Sequence, residues 1–208
     1  MRTLPRRFYR RDPREVAPEL LNKVLVHGGR AGRIVEVEAY CGAADAGSHA
    51  FRGRTPRNAT MFAKPGLLYV YLSYGMHWCA NAVCGEEDEG VAVLLRALAP
   101  LTGVDEMRVA RGEGRRDREL CAGPGRLCQA LGIAKAHDGA DLVTVDRDVR
   151  IADDGTPPPE VPGNSLRIGL TAGAEHPWRW YVPGDPNVSR KGGTRPPILR
   201  RQHPVSGR

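Results

Sequence analysis

Apolar positions along the chain fall into short alternating runs punctuated by glycine and proline, a pattern of strands and turns more than of long helices. Lys23 to His27 and Arg33 to Tyr40 flank a Gly-Gly-Arg-Ala-Gly turn and predict an antiparallel hairpin. In its second strand a period of two puts Val35, Val37 and Ala39 on one face and Ile34, Glu36, Glu38 and Tyr40 on the other. One face is expected in the core and the other to carry chemistry. Leu67 to Ser73 and His77 to Cys84 predict a second hairpin around Tyr74-Gly75-Met76, followed by an apolar strand from Gly90 to Ala99. Short strands are expected again at 149–152, 165–170 and 179–182. Helical signals are few: an arm and short helix between Leu4 and Leu21, with Asp12 before Pro13 as N-cap and first helical residue; Val104 to Ala110; and a segment after Gly123-Pro124, where Leu127, Cys128 and Leu131 recur at helical spacing. Meandering strands with interspersed helices predict an α+β fold, a single compact domain around a mostly antiparallel curved β-sheet with surrounding helices and a protruding β-hairpin.

Length and composition narrow the picture. The 208 residues are enough for one well-buried core. A domain over 1–190 is expected, with a basic Pro/Gly/Arg-rich tail over 191–208 expected to be flexible, and Asp153 to Gly163 as a surface loop. No apolar run approaches the ~20 residues of a membrane helix, and the basic N-terminus lacks the apolar stretch of a secretory signal, so a cytoplasmic protein is expected. The five cysteines (Cys41, Cys79, Cys84, Cys121, Cys128) are odd in number and form no CxxC pair, so neither a disulfide framework nor a metal site is expected, nor any cofactor. Net charge is +7, and lysine stands only at 23, 64, 135 and 191, so the positive charge is nearly all arginine. Guanidinium forks suit phosphate oxygens, which makes nucleic acid a natural partner; an arginine-rich proteome would produce the same bias, and charge alone does not separate the two.

Candidate chemistry concentrates between residues 33 and 99. Glu38 and Tyr40 stand side by side on one strand face, where an aromatic plate can hold a planar ring while the carboxylate works at its edge or on a water. A Glu-x-Glu pair in a strand more often lines a solvated face, so spacing alone does not decide the matter. The loop after Cys41 is longer than a mere connection requires and holds His49, Arg52, Arg54, Arg57 and Lys64, cations placed to approach phosphate. Tyr69 and Tyr71 share a strand face, and Tyr74 and Met76 sit at the hairpin turn, where an aromatic or apolar wedge could part base steps. Tyr71 as a packed core aromatic and Tyr74 folded back on the sheet are the ordinary alternatives. Asn81 needs partners if buried and could read a base edge, and Arg96, set in an apolar run, needs a carboxylate, with Glu38 the evident candidate.

These residues lie in strings that resemble a known family. The run RIVEVEAY, the spaced His49, then RTPRNATMFAKPGLLYVYLSYGMHWCANAV, VLLRALAPLTG and LCAGPGRLCQALGI closely resemble the alkyladenine, or 3-methyladenine, DNA glycosylases over about residues 4 to 190. The resemblance implies excision of a flipped damaged purine from double-stranded DNA, with an abasic site as product. It implies Glu38 as general base, Arg96 as the residue that positions water, Tyr40, His49 and Tyr71 stacking on the flipped base, and Asn81 opposing the exocyclic amine of guanine. Tyr74 matches the wedge and Met76 its support. With no lysine at the matched catalytic positions, a monofunctional, water-using enzyme acting as a monomer is expected, with Arg54, Arg57 and Lys64 along the DNA backbone. Two other readings compete: a noncatalytic nucleic-acid-binding module, and a metal-dependent nuclease with Glu36, Glu38 and His49 as ligands.

Overall fold

One sheet organises the chain. In the computed structural model, which describes residues 1–144 and 149–189, nine strands pair antiparallel throughout. They are β1 (Arg2–Thr3), β2 (Val24–His27), β3 (Arg30–Cys41), β4 (Leu68–Ser73), β5 (His77–Cys84), β6 (Val91–Thr102), β7 (Val149–Asp153), β8 (Gly163–Ser165) and β9 (Arg179–Tyr181). Helices α1 (Arg6–Tyr9), α2 (Pro13–Leu20), α3 (Val104–Arg111), α4 (Asp117–Leu120) and α5 (Pro124–Leu131) connect or cover them. The strand order β1-β7-β2-β3-β6-β5-β4 curls into a half-barrel, and β9, carrying β8, adds to β3 beside β2. The α+β class and the antiparallel curved sheet are as the sequence predicted.

Local chemistry explains most of the elements. Gly28 and Gly29 alone make the first turn, at φ 54° and 78°, and His27 pairs with Arg30. Two consecutive positive φ values match the twist of a hairpin and suit glycine, so β3 begins three residues earlier than expected. Asp12 caps α2 by accepting the Arg14 N–H on Oδ1 at 2.8 Å, with Pro13 as the first helical residue. The arm before it holds α1 as well, and β1 pairs with β7.

Period-two alternation in β3 holds from Glu36 onward but fails before it. Ile34 pairs with Leu98 and Glu36 with Ala97, so Val35 is an extra residue. This bulge sends Ile34 into the same core as Val37 and Ala39, not to the side of Glu38 where simple alternation put it. It also divides the strand's edge, with β2 pairing at Val24–His27 before the bulge and β9 at Glu36–Glu38 after it. A matching irregularity lies across the ladder: Glu36 faces Ala97 and Val37 faces Leu95, which leaves Arg96 without a register partner.

The main core fills the face of the sheet under α2, α3 and α5, where Leu20, Met107, Leu127 and Leu131 meet Val37, Val93 and Leu95. On the other face the loop after β3, with 3₁₀ turns at Gly42–Ala44 and Ala59–Phe62, seats a smaller cluster of Ala50, Met61, Phe62, Tyr69, Val83 and Ala92. The expected strand over 165–170 ends at Ser165; beyond it the backbone turns over the second face, where Ile168 donates its N–H to the Glu38 side chain. Asp153 closes β7 and Gly163 opens β8, with an exposed or half-buried connection between them. All five cysteines are unpaired, and four are buried. Among the described residues no helix is long and apolar enough to cross a membrane, and no three metal-binding side chains cluster. The tail over 191–208 lies outside the described residues.

Candidate active site

A cavity of about 820 Å³ opens on the second face of the sheet, within the ~300–1,000 Å³ usual for small-molecule sites. Its floor comes from alternate residues of four strands: Tyr40 on β3, Tyr71 on β4, Asn81 on β5 and Arg96 on β6. His49 and Arg57 of the long loop form one wall and the Ile168–Leu170 segment another, with the hairpin tip at the rim. Sequence-predicted residues from five separate stretches therefore converge on one hollow.

Glu38 is fully buried, not half-exposed as its strand pattern suggested. Its carboxylate sits just behind the cavity wall. Oε1 accepts the Ile168 N–H at 2.8 Å and lies 3.2 Å from Arg96 Nη1, while Oε2 accepts the Tyr40 hydroxyl at 2.9 Å. Tyr40, Arg96 and Ile168 all line the cavity. A carboxylate oxygen has two lone pairs, so Oε2, with one protein donor, keeps one for a further donor.

Glu36 has a different station. It is also fully buried, but its oxygens accept from Arg96 Nε (2.8 Å), Arg179 Nε (2.7 Å), Ser189 N (2.6 Å) and Ser189 Oγ (2.9 Å). Burial by itself would raise its pKa, but Arg96 and Arg179 outweigh it and hold the carboxyl below the usual range. Arg96 thus bridges the two glutamates. Burial opposes its charge, yet Glu38 and Glu36 together raise its pKa above the ordinary arginine value. Among the described residues two carboxylates and two guanidiniums offset one another in this cluster, in keeping with the pairing that buried charges need. The bulge that frees Arg96 from the ladder register accompanies this bridging position, a common use of bulges beside active sites. With both glutamates engaged by arginines and β9 and Ser189 closing over Glu36, the set Glu36, Glu38 and His49 does not form a metal cage.

Aromatic residues shape the rest. The His49 and Tyr71 rings meet edge to face with centroids 4.4 Å apart, and Tyr69 stacks on Tyr71 at 5.4 Å. Burial, aided by Arg57, pushes the His49 pKa below its ordinary value, so the ring is neutral at pH 7. The phenols of Tyr40 and Tyr71 are pushed up, first by burial and then by charged or polar neighbours. Both stay neutral. Asn81 is anchored by Nδ2 to the Tyr69 carbonyl at 3.1 Å, its cross-strand partner.

At the rim, Tyr74 and Gly75 occupy the hairpin turn at φ 50° and 69°. A left-handed tyrosine costs roughly 1–2 kcal/mol, and this one points into solvent: Tyr74 is 84% exposed and Met76 70%. The alternative of a tyrosine folded back on the sheet is not what the chain adopts. Of the three cations expected along DNA, Arg57 lines the cavity and donates to the Leu72 carbonyl at 3.0 Å. Arg54 and Lys64 do not line it; Arg54 stands 3.2 Å from Asp88 and Lys64 3.6 Å from Asp141, all at the surface or partly so.

Sequence reasoning missed Arg179, Ser189 and the Ile168 N–H, each of which holds a glutamate from more than 125 residues away. No local pattern marks such partners; the only signal is the general demand that a buried carboxylate be paired.

The chain matches the family model described as methylpurine-DNA glycosylase over residues 7–186. A Burkholderia lata protein is 56% identical over 199 residues, covering 95% of this chain and 93% of its own. A Koribacter versatilis protein is 47% identical over 194 residues (90% and 93%), and one from Streptomyces avermitilis 45% over 192 residues (89% and 90%). All three are provisionally named 3-methyladenine DNA glycosylase.

Proposed function

The chain belongs to the methylpurine-DNA glycosylase family and is a DNA N-glycosylase of base excision repair; from that premise we propose that Glu38 is its general base, acting on a purine flipped into the cavity. The observation that carries this reading is the Glu38 carboxylate itself, buried, held by three donors that all face an aromatic-lined cavity, and with a lone pair left on Oε2. Tyr40 on one strand and the His49–Tyr71 pair offer ring surfaces for the base. Exposed Tyr74 fills the gap the base leaves in the duplex, with Met76 beside it, and Arg57 at the rim meets backbone phosphate; Arg54 and Lys64 extend that contact outward. Asn81, its amide fixed on Tyr69, discriminates against guanine.

The chemistry needs little else. As the C1′–N bond lengthens, its electron pair goes to the base and the sugar gains oxocarbenium character. Water adds to C1′ and gives a proton to Glu38, whose negative charge also favours the developing cation. Arg96 keeps the carboxylate aimed while its own charge is shared with Glu36. An N-alkylated purine leaves readily, since it already carries the positive charge that the bond electrons discharge. Among the described residues no lysine lines the cavity, which supports a monofunctional enzyme that leaves an uncut abasic site. The corresponding picture is of a monomer that meets DNA in the cytoplasm. Duplex oligonucleotides bearing ethenoadenine, hypoxanthine or 7-methylguanine, incubated with the protein in EDTA and then cleaved with alkali, test it. Alkali-labile sites are expected at the lesion; strand cleavage before alkali would refute the monofunctional reading, and no release from any lesion would refute the site.

A further inference from the structure

Arg167 lies behind the cavity wall and has no part in the scheme above. It follows β8, its side chain is fully buried, and four acceptors fix its guanidinium. Nη1 donates to Asp45 Oδ2 at 2.6 Å and to the Ala39 carbonyl at 3.0 Å; Nη2 donates to Asp45 Oδ1 and the Gly173 carbonyl, both at 2.7 Å. Asp45 is itself held by the Cys41 and Gly47 N–H groups at 3.1 and 2.9 Å. Cζ stands 4.7 Å from the centroid of the Tyr40 ring and 5.1 Å from that of Trp178. The guanidinium is therefore pinned against two aromatic faces, and its buried Nε has no hydrogen-bond partner among the described residues. The next residue in the chain, Ile168, donates its N–H to Glu38 Oε1 at 2.8 Å.

We propose that Arg167 is a positioning residue of this site, which fixes the plane of the Tyr40 ring and, through the adjoining Ile168 N–H, the Glu38 carboxylate. The inference rests on the reading of Tyr40 as a stacking surface and Glu38 as the base. A rigid plate matters because a flipped base must present C1′ to the water at near-attack distance, and a misplacement of about 1 Å can cost on the order of a hundredfold in rate. An ion pair with Asp45 alone would be met by any cation that reaches it. The flat fork is needed only if the ring and the following peptide are to be held, because lysine offers a point charge with neither bidentate geometry nor a stacking plane.

Arg167→Lys and Asp45→Asn, each in the full chain, test the proposal against wild type. Three quantities are measured: the thermal midpoint, affinity for a duplex with an abasic-site analogue, and the single-turnover excision rate on ethenoadenine. Arg167→Lys is expected to bind the abasic duplex within about threefold of wild type while excising about ten- to a hundredfold more slowly. Excision at the wild-type rate by Arg167→Lys overturns the proposal, as does a loss of affinity in proportion to rate. Should that variant fail to fold, Asp45→Asn, which leaves Arg167 and its two carbonyl acceptors in place, decides: slowed excision with retained binding supports positioning, and an unchanged rate overturns it. Absence of excision by the wild type would instead remove the reading on which the inference rests.

Discussion

Replacing Glu36 with glutamine keeps the side-chain volume and removes one negative charge from a buried cluster of two carboxylates and two guanidiniums. Among the described residues one carboxylate of the cluster, Glu38, would then remain, in contact with Arg96. The amide can accept through one oxygen, but its NH₂ would confront donors, since all four partners of Glu36 within 2.9 Å donate to it. Removing one member of a buried ion pair costs about 3–5 kcal/mol. For a chain of this size each kcal/mol moves the melting midpoint by roughly 2–4 °C, so a loss of about 6–20 °C is expected near pH 7. The pH dependence follows from the depressed pKa of Glu36. Its folded value lies below the unfolded carboxylate value of about 4.3, so its contribution is complete above that value and fades as pH falls through the folded one. The gap between wild type and variant should be constant from pH 8 to about 5.5 and narrow below about pH 4. Calorimetric melts across that range make the measurement. A loss under about 2 °C at pH 7, or a gap that widens on acidification, would refute the account of the cluster.

Glu38→Gln should reduce single-turnover base release about 10²- to 10⁴-fold, the usual worth of a general base, with lesion-duplex affinity nearly unchanged; excision at the wild-type rate would remove Glu38 from the chemistry. Tyr74→Gly should raise stability, by up to about 1–2 kcal/mol as the left-handed strain is relieved, while a fluorescent reporter base in the lesion position flips less readily; a destabilised variant would refute the strain, and undiminished flipping the wedge. The His49 ring, held below its ordinary pKa by burial and Arg57, should titrate by NMR with a midpoint under 6.5 and stay neutral through the neutral range. Burial raises the pKa of every cysteine, Cys41 to about 11 and Cys121 to about 12, so iodoacetamide at pH 7.5 should label the native protein slowly and the urea-unfolded chain at all five thiols, as counted by mass spectrometry.

The sequence by itself determined the two hairpins, with Tyr74 at the tip of the second, the apolar strand β6, the capped start of α2 and the antiparallel class, because each rests on local chemistry: alternation, a paired-glycine turn, an Asp-Pro cap; it did not mark β1, and it set a strand over 165–170 where β8 spans Gly163–Ser165. It also placed Glu38 and Tyr40 side by side, since a period of two needs no tertiary information. Simple alternation misled at Ile34, where the Val35 bulge breaks the period. Tertiary structure alone decided which glutamate lies directly behind the cavity wall and which is locked away from it. Glu36 and Glu38 share a strand face and are equally buried; what separates them is that Arg179 and Ser189 close over the first, while Ile168 and Tyr40 hold the second at the cavity wall. Those partners arrive from distant segments, and pairing of a buried charge is a property of the assembled interior that no local spacing encodes.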